Sequence, residues 1–238
     1  MTEHTSKRFD AELEAVRSKV LQMGGLVEQQ VAKAIEALDM GDTALIKAVI
    51  EGDAQVNRLE IEIDEACTYI IARRQPAATD LRVIHSVMKM ITDLERIGDE
   101  SVKIARMALA ISEAHRAYLP RVELKHIENS ALSMLRRALD AYARLDVTQA
   151  ADVVREDDTL DAEFASIIRQ LITHMMEDPR TISRAIDLVF VAKALERIGD
   201  HAKNMCEYVF YLVNGQDVRH LGKAWAAEKP VQEATDLT

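Results

Sequence analysis

Helix-interrupting residues are scarce in this chain, with 8 glycines and 4 prolines among 238 residues, and aromatic residues make up only 4%. That scarcity argues against sheets joined by frequent turns; the abundant Leu, Ile, Val, Ala and Met, within a hydrophobic share of 48%, favour packed helices. The expected fold class is all-α. Cysteine is nearly absent too. Cys67 and Cys206 stand far apart and form no CxxC pair, which speaks against a disulfide framework or a thiolate metal site and leaves both as small core residues. There is no basic excess: a formal charge of -10 argues against broad contact with a phosphate backbone, so no nucleic-acid partner is expected. No apolar run reaches the ~18 residues of a membrane span, and the opening MTEHTSKRFDAELEA has no apolar signal core. A cytoplasmic protein without membrane insertion is the expectation. Neither a Gly-rich phosphate loop, a GxSxG elbow nor a nucleophile beside a base occurs, so no catalysis is expected.

What is present is long apolar periodicity punctuated by proline. Pro76, Pro120, Pro179 and Pro230 all fall between helical patterns, as their missing N–H and ring clash require. Between them the spacing predicts helices near 8–40, 42–74, 78–115, 121–145, 148–176 and 180–214, followed by a polar tail containing Trp225. Asp42 and Thr79 are predicted N-caps, and Gly41 and Gly215 predicted helix stops. The hexapeptide LERIGD at 94–99 returns at 195–200, and EIEID at 60–64 resembles DDTLD at 157–161. The offsets, 101 and 97 residues, differ by what a small insertion in a turn supplies. Two homologous three-helix units follow, each an up-down-up bundle, in a tandem repeat. The expected boundaries are 1–118, 119–216 and a tail at 217–238.

Glycine inside a helix costs roughly 1 kcal/mol relative to alanine, so Gly98 and Gly199 at matching places call for close helix approach. The same stripe carries Val87, Ile91, Leu94 and Ala105. Beside it, Glu95/Asp99 and Glu196/Asp200 each project two like charges from one helix face. Glu60 and Asp157 fall in otherwise apolar series, and a carboxylate near a core must gain a cation, hydrogen bonds or a proton. One reading gathers Glu60, Asp64, Glu95 and Asp99 in the first unit, and Asp157, Asp161, Glu196 and Asp200 in the second, around metal ions. Oxygen-only ligands suit Mg, Mn or Fe, with Zn less natural. The other reading neutralises these acids with arginines such as Arg96 and Arg197 as ordinary ion pairs.

LERIGD twice, QPAATDLR at 75–82, the acids at 60–64 and 157–161 and YLVNGQDVRH near the end together resemble the PhoU family over about residues 8–220. The resemblance implies two three-helix bundles with metal clusters held by the paired acids named above. It also implies a function: restraint of phosphate uptake by a phosphate-specific transporter and repression of the phosphate-starvation two-component response. The implied partners are the transporter ATPase subunit and a phosphate-sensing histidine kinase, with a homodimer as the usual assembly. The halves are not equal, since Asp99 precedes Glu100 whereas Asp200 precedes His201, and EDPRTIS at 177–183 lacks a counterpart to Asp80. His201 reads either as an added nitrogen ligand or as a hydrogen-bond partner. A di-iron bundle enzyme would need two ExxH pairs, and only Glu123 with His126 has that spacing. A metal-independent helical adaptor remains the stronger alternative.

Overall fold

The computed structural model describes residues 2–76, 78–113, 120–219 and 224–227, without the side chains of 2–6, 78, 224 and 227. Six long helices carry the fold: α1 Thr2–Met40, α2 Thr43–Arg74, α3 Ala78–Ser112, α4 Lys125–Arg144, α5 Val147–Glu177 and α6 Ile182–Asn214. A 3-10 turn, Pro179–Thr181, leads into α6, and a short helix α7, Ala224–Ala227, follows it. No strand occurs among the described residues.

Local chemistry sets most of the ends. Asp42 caps α2, its Oδ1 accepting from the amides of Ala44 at 2.8 Å and Leu45 at 3.4 Å. Asp146 caps α5 through the amide of Gln149 at 2.9 Å. Gly41 and Gly215 stop α1 and α6 at φ 66 and 75, the left-handed region where a Cβ is penalised. Two expectations shift. Thr79 is not a cap, because α3 already runs from Ala78 and places it in the first turn. Helix α4 begins at Lys125 rather than near 121, so Glu123 lies in the preceding loop and no helix face carries an ExxH pair there.

Each unit is an antiparallel hairpin with a third helix returning along it. In the first, Glu12 meets Arg74 and Gln30 meets Asp53, fixing α1 against α2. In the second, Ser130 meets Glu163, fixing α4 against α5. The units then join like helix to like helix. Between α1 and α4, Arg17 donates to the Ala143 carbonyl at 2.6 Å, Arg136 meets Glu28 at 2.7 Å and Lys125 meets Asp39 at 2.6 Å. Between α3 and α6, Asp93 meets His201, Glu100 meets Arg197 and the Ala110 carbonyl meets Arg184, an antiparallel register. That arrangement is a pseudo-twofold.

Consequently the molecule has one main core. Val20, Met23, Ile63, Ile84, Leu94, Ile97, Ala131, Met134, Leu160, Val191 and Leu195 belong to the same buried cluster, which spans both halves. Each of the Val, Leu, Ile and Met side chains contributes about 1.5–3 kcal/mol by leaving water, so the shared core also holds the two units together. The described residues beyond α6 also pack: Trp225 meets Phe210 with tilted rings whose centroids are 4.5 Å apart, and Val218 and Ala226 are buried. Cys67 and Cys206 are buried, and burial pushes the Cys67 thiol up to about 11, which makes it inert packing.

Candidate functional site

The hexapeptide repeats place their acids on two inter-helix seams. In the second unit, Asp200 lies within electrostatic reach of Glu196, Asp157 and Asp161 along the seam of α5 and α6, although Asp161 itself is exposed. Burial raises the Asp200 carboxyl above its ordinary range, and those neighbouring acids raise it further. Asp157 is only 1% exposed and occupies the core slot that its apolar series indicated, between Val153 and Leu160. Gly199 permits the approach. A Cβ there would sit 2.0 Å from Cδ2 of Leu160, inside the van der Waals radius of a fully buried side chain.

The first unit differs in composition. Burial and then Asp99, with smaller contributions from Glu60 and Asp53, raise the Glu95 carboxyl, against the opposing Arg96. Glu60 and Asp99 thus stand within electrostatic reach of Glu95. Asp64 is exposed and borders a neighbouring groove with Arg96, Asp93 and His201. Glu60 is half-buried rather than in the core slot, because Leu59 turns inward in its place. One residue missed from sequence is Asp53, which touches the space beside Gly98 and accepts from Gln30 and Asn57, both at 3.2 Å. Its signal was available: Asp53, Asn57, Glu60 and Asp64 follow one face of α2.

Cations divide unevenly between the seams. Lys203 reaches Asp157 at 2.7 Å, and Lys193 holds both oxygens of Glu196 at 2.7 and 2.6 Å. In the first unit Arg96 approaches Glu95 at 3.5 Å. Position 102, the counterpart of Lys203, is Val, and position 92, the counterpart of Lys193, is Thr. Arg197 does not serve its own quartet; it crosses to Glu100, 3.1 Å away. The two lysines escaped the sequence reading, which weighed only arginines. Carboxylate oxygens are the right donors for a hard cation. As the side chains stand, no group of three or more His, Cys, Asp or Glu among the described residues converges as a ready-made metal cage.

His201 takes neither acid of its own motif. Its Nδ1 lies 2.6 Å from Oδ1 of Asp93, and the Asn204 amide donates to the same oxygen at 3.2 Å, which ties α6 to α3. A histidine in that role is a cross-helix fastener.

Comparison with known proteins supplies the family. Residues 20–108 and 124–209 each match the family described as PhoU domain. The phosphate-specific transport system accessory protein PhoU homolog of Pseudomonas putida is 51% identical over 222 residues, covering 93% of this chain and 87% of that protein. The PhoU of Escherichia coli K12 is 48% identical over 223 residues, covering 93% of this chain and 92% of its own length. Among solved structures, the crystal structure of PhoU from Pseudomonas aeruginosa aligns with a TM-score of 0.85 at 50% identity over 87% of this chain and 100% of that one. The phosphate transport system regulatory protein PhoU from Streptococcus pneumoniae aligns at 0.81 with 28% identity, over 88% of this chain and 99% of that one. With both repeats matched and the helical architecture superposable over 87% of its length, the chain belongs to the PhoU family, whose members here are accessory proteins of phosphate-specific transport.

Proposed function

We propose that this chain is a non-catalytic, cytoplasmic regulator of phosphate homeostasis. It restrains uptake by a phosphate-specific ABC transporter and keeps the phosphate-starvation two-component response repressed. It does so by contact with the transporter ATPase subunit and with the sensor histidine kinase, and works as a homodimer. The observation that carries this reading is the identity of about one half to accessory proteins of phosphate transport across nearly the whole chain. No helix among the described residues is long and apolar enough to cross a membrane, so membrane location would come from partners. Acting without chemistry, such a protein shifts its partners between states only by its difference in affinity for those states. Deleting the gene should raise phosphate uptake and switch on starvation-responsive transcription in phosphate-rich medium, and restoring it should reverse both. Normal uptake and transcription in the deletion strain would overturn the assignment.

Within that role we assign the paired acids Glu60, Asp64, Glu95 and Asp99, and Asp157, Asp161, Glu196 and Asp200, to metal binding, with Fe, Mn, Mg or Zn as the candidates. The donor chemistry fits a hard ion; the side chains would have to turn inward together to share it. A bound ion would neutralise the carboxylates and lock the seam. The first seam is the better candidate, since its acids press on Glu95 with one arginine opposing them, whereas Lys203 and Lys193 already answer the second. Those lysines favour the other reading for the second unit: a seam neutralised internally, in an adaptor that needs no metal there. Protein purified without chelator, compared with Asp99→Asn and with Asp200→Asn, separates the two. Metal loss confined to Asp99→Asn supports a single site in the first unit, and equal metal content in all three samples removes the metal assignment.

A further inference from the structure

The pseudo-twofold generates a pair of grooves, one on each side of the α3–α6 seam. One, of about 460 Å³, is lined by Glu100, Lys103, Arg106 and Met107 from α3 and by Phe190, Lys193, Ala194 and Arg197 from α6. The other includes Lys89, Thr92, Asp93, Arg96, His201 and Tyr208. Shifted by the 101-residue repeat, these become Phe190, Lys193, Ala194, Arg197, Glu100 and Met107, so the grooves are counterparts. Their chemistry has diverged. Phe190 replaces Lys89 and Met107 replaces Tyr208, while Lys103 and Arg106 stand where the second unit has Asn204 and Glu207.

The scaffold therefore does not demand what the first groove contains. Phe190 is 57% exposed, and Ile182 and Ile186 continue the same exposed face of α6. Around this apolar strip stand four cations. The groove's one carboxylate, Glu100, is 3% exposed and already engaged by Lys103 at 2.7 Å and Arg197 at 3.1 Å. Lys193 is held by Glu196, and Arg106 has no ion-pair partner among the described residues. A patch this basic is conspicuous on a chain of net charge -10. An apolar strip flanked by cations is complementary to a segment that is acidic and carries an aromatic or aliphatic anchor.

We propose that this groove docks an acidic segment of a partner protein, which lays one large apolar side chain beside Phe190 and Met107 and sets carboxylates against Arg106 and Lys103. The proposal rests on the reading that the chain acts by contact, and it names the face that makes that contact. A concave cleft between two antiparallel helices suits an inserted peptide; a flat anionic bilayer would meet only the ridge tips. The charged contacts make binding weaken as salt rises.

The test selects a random-peptide display library on the full chain, then measures the fluorescein-labelled winners by anisotropy. Winners rich in Asp and Glu around a Phe, Leu or Trp are expected. Their affinity should fall at least about tenfold for Arg106→Glu with Phe190→Ser, and should hold for His85→Ser with Lys89→Ser in the counterpart groove. All substituted side chains lie at the surface or in the open groove, and thermal melts check folding; Arg106→Glu alone serves as the milder variant. Winners without acidic enrichment, or affinity unchanged by Arg106→Glu and Phe190→Ser, would overturn the proposal. So would vesicles containing phosphatidylglycerol that bind the chain through these residues while no peptide is selected. The binding readout involves no phosphate regulation: loss of the docking result alongside a deletion phenotype refutes the groove only, and the reverse refutes the regulatory reading only.

Discussion

The two copies of LERIGD allow one substitution to be read twice with opposite signs. Gly→Ala within a helix gains about 1 kcal/mol from backbone propensity alone. At Gly199 the new methyl would lie 2.0 Å from Leu160 Cδ2 with Met134 Sδ at 3.5 Å, and both residues are fully buried, so Leu160 has no solvent to swing into. Overpacking of that kind costs ~3 kcal/mol at the upper end of the usual range, leaving a net loss of ~2 kcal/mol. At Gly98 the nearest atoms are Asp53 Oδ1 and Gln30 Oε1, each at 3.3 Å and each the far end of a flexible side chain that need shift only a few tenths of an ångström, Asp53 toward solvent and the buried Gln30 by a small rotation. The propensity gain there survives as ~0.5 kcal/mol of added stability. Urea denaturation followed by circular dichroism reads both variants against the parent, with Gly199→Ala/Leu160→Ala as the control. Leu160→Ala alone should cost ~2–5 kcal/mol, and the double variant should cost clearly less than the two singles together. Equal midpoints for Gly98→Ala and Gly199→Ala, or strict additivity of the pair, would refute close approach as the reason for the second glycine.

Two further substitutions probe how buried charge is tolerated. Lys203→Met removes the ammonium 2.7 Å from the nearly inaccessible Asp157 and should cost ~2–3 kcal/mol by the same denaturation assay; a loss under ~0.5 kcal/mol would place that carboxylate's main compensation elsewhere. Glu128, on α4, has its carboxyl raised above the ordinary value of 4.5 by burial first and Asp39 second, against the lowering by Lys125. A raised folded value means the native state binds the proton more readily than the unfolded chain. Glu128 therefore contributes stability below 4.5 that is lost as pH rises through its folded value. Glu128→Gln should flatten the melting profile between pH 4.5 and neutrality and raise the melting temperature at pH 7, and an unchanged profile would refute the assignment.

Much of the fold was legible because it depends on local chemistry. Proline placement, the apolar period and capping by Asp42 are properties of a few consecutive residues, and the helices fall close to where those signals put them. Thr79 misled because a capping residue type inside the first turn looks the same in sequence as one before it. Glu60 misled for a geometric reason: neighbouring positions on a helix are about 100° apart, so an apolar series can run through Leu59 as easily as through its neighbour. At the candidate site, the i,i+4 acids were visible as pairs. Which cations answer them was not, because Lys203 reaches Asp157 across forty-six positions of chain.

The sequence by itself determined that the molecule is helical, duplicated and provided with two sets of paired acids, since periodicity, repetition and composition survive without coordinates. Tertiary structure alone decided that the two units share one core, that α1 meets α4 and α3 meets α6 about a pseudo-twofold, and that the two acidic seams carry different counter-charges. The physical reason is range. Helix formation is set by neighbours within a turn or two, whereas the partner of a buried carboxylate and the floor of a groove depend on where distant helices cross, a choice made by packing the whole apolar surface at once.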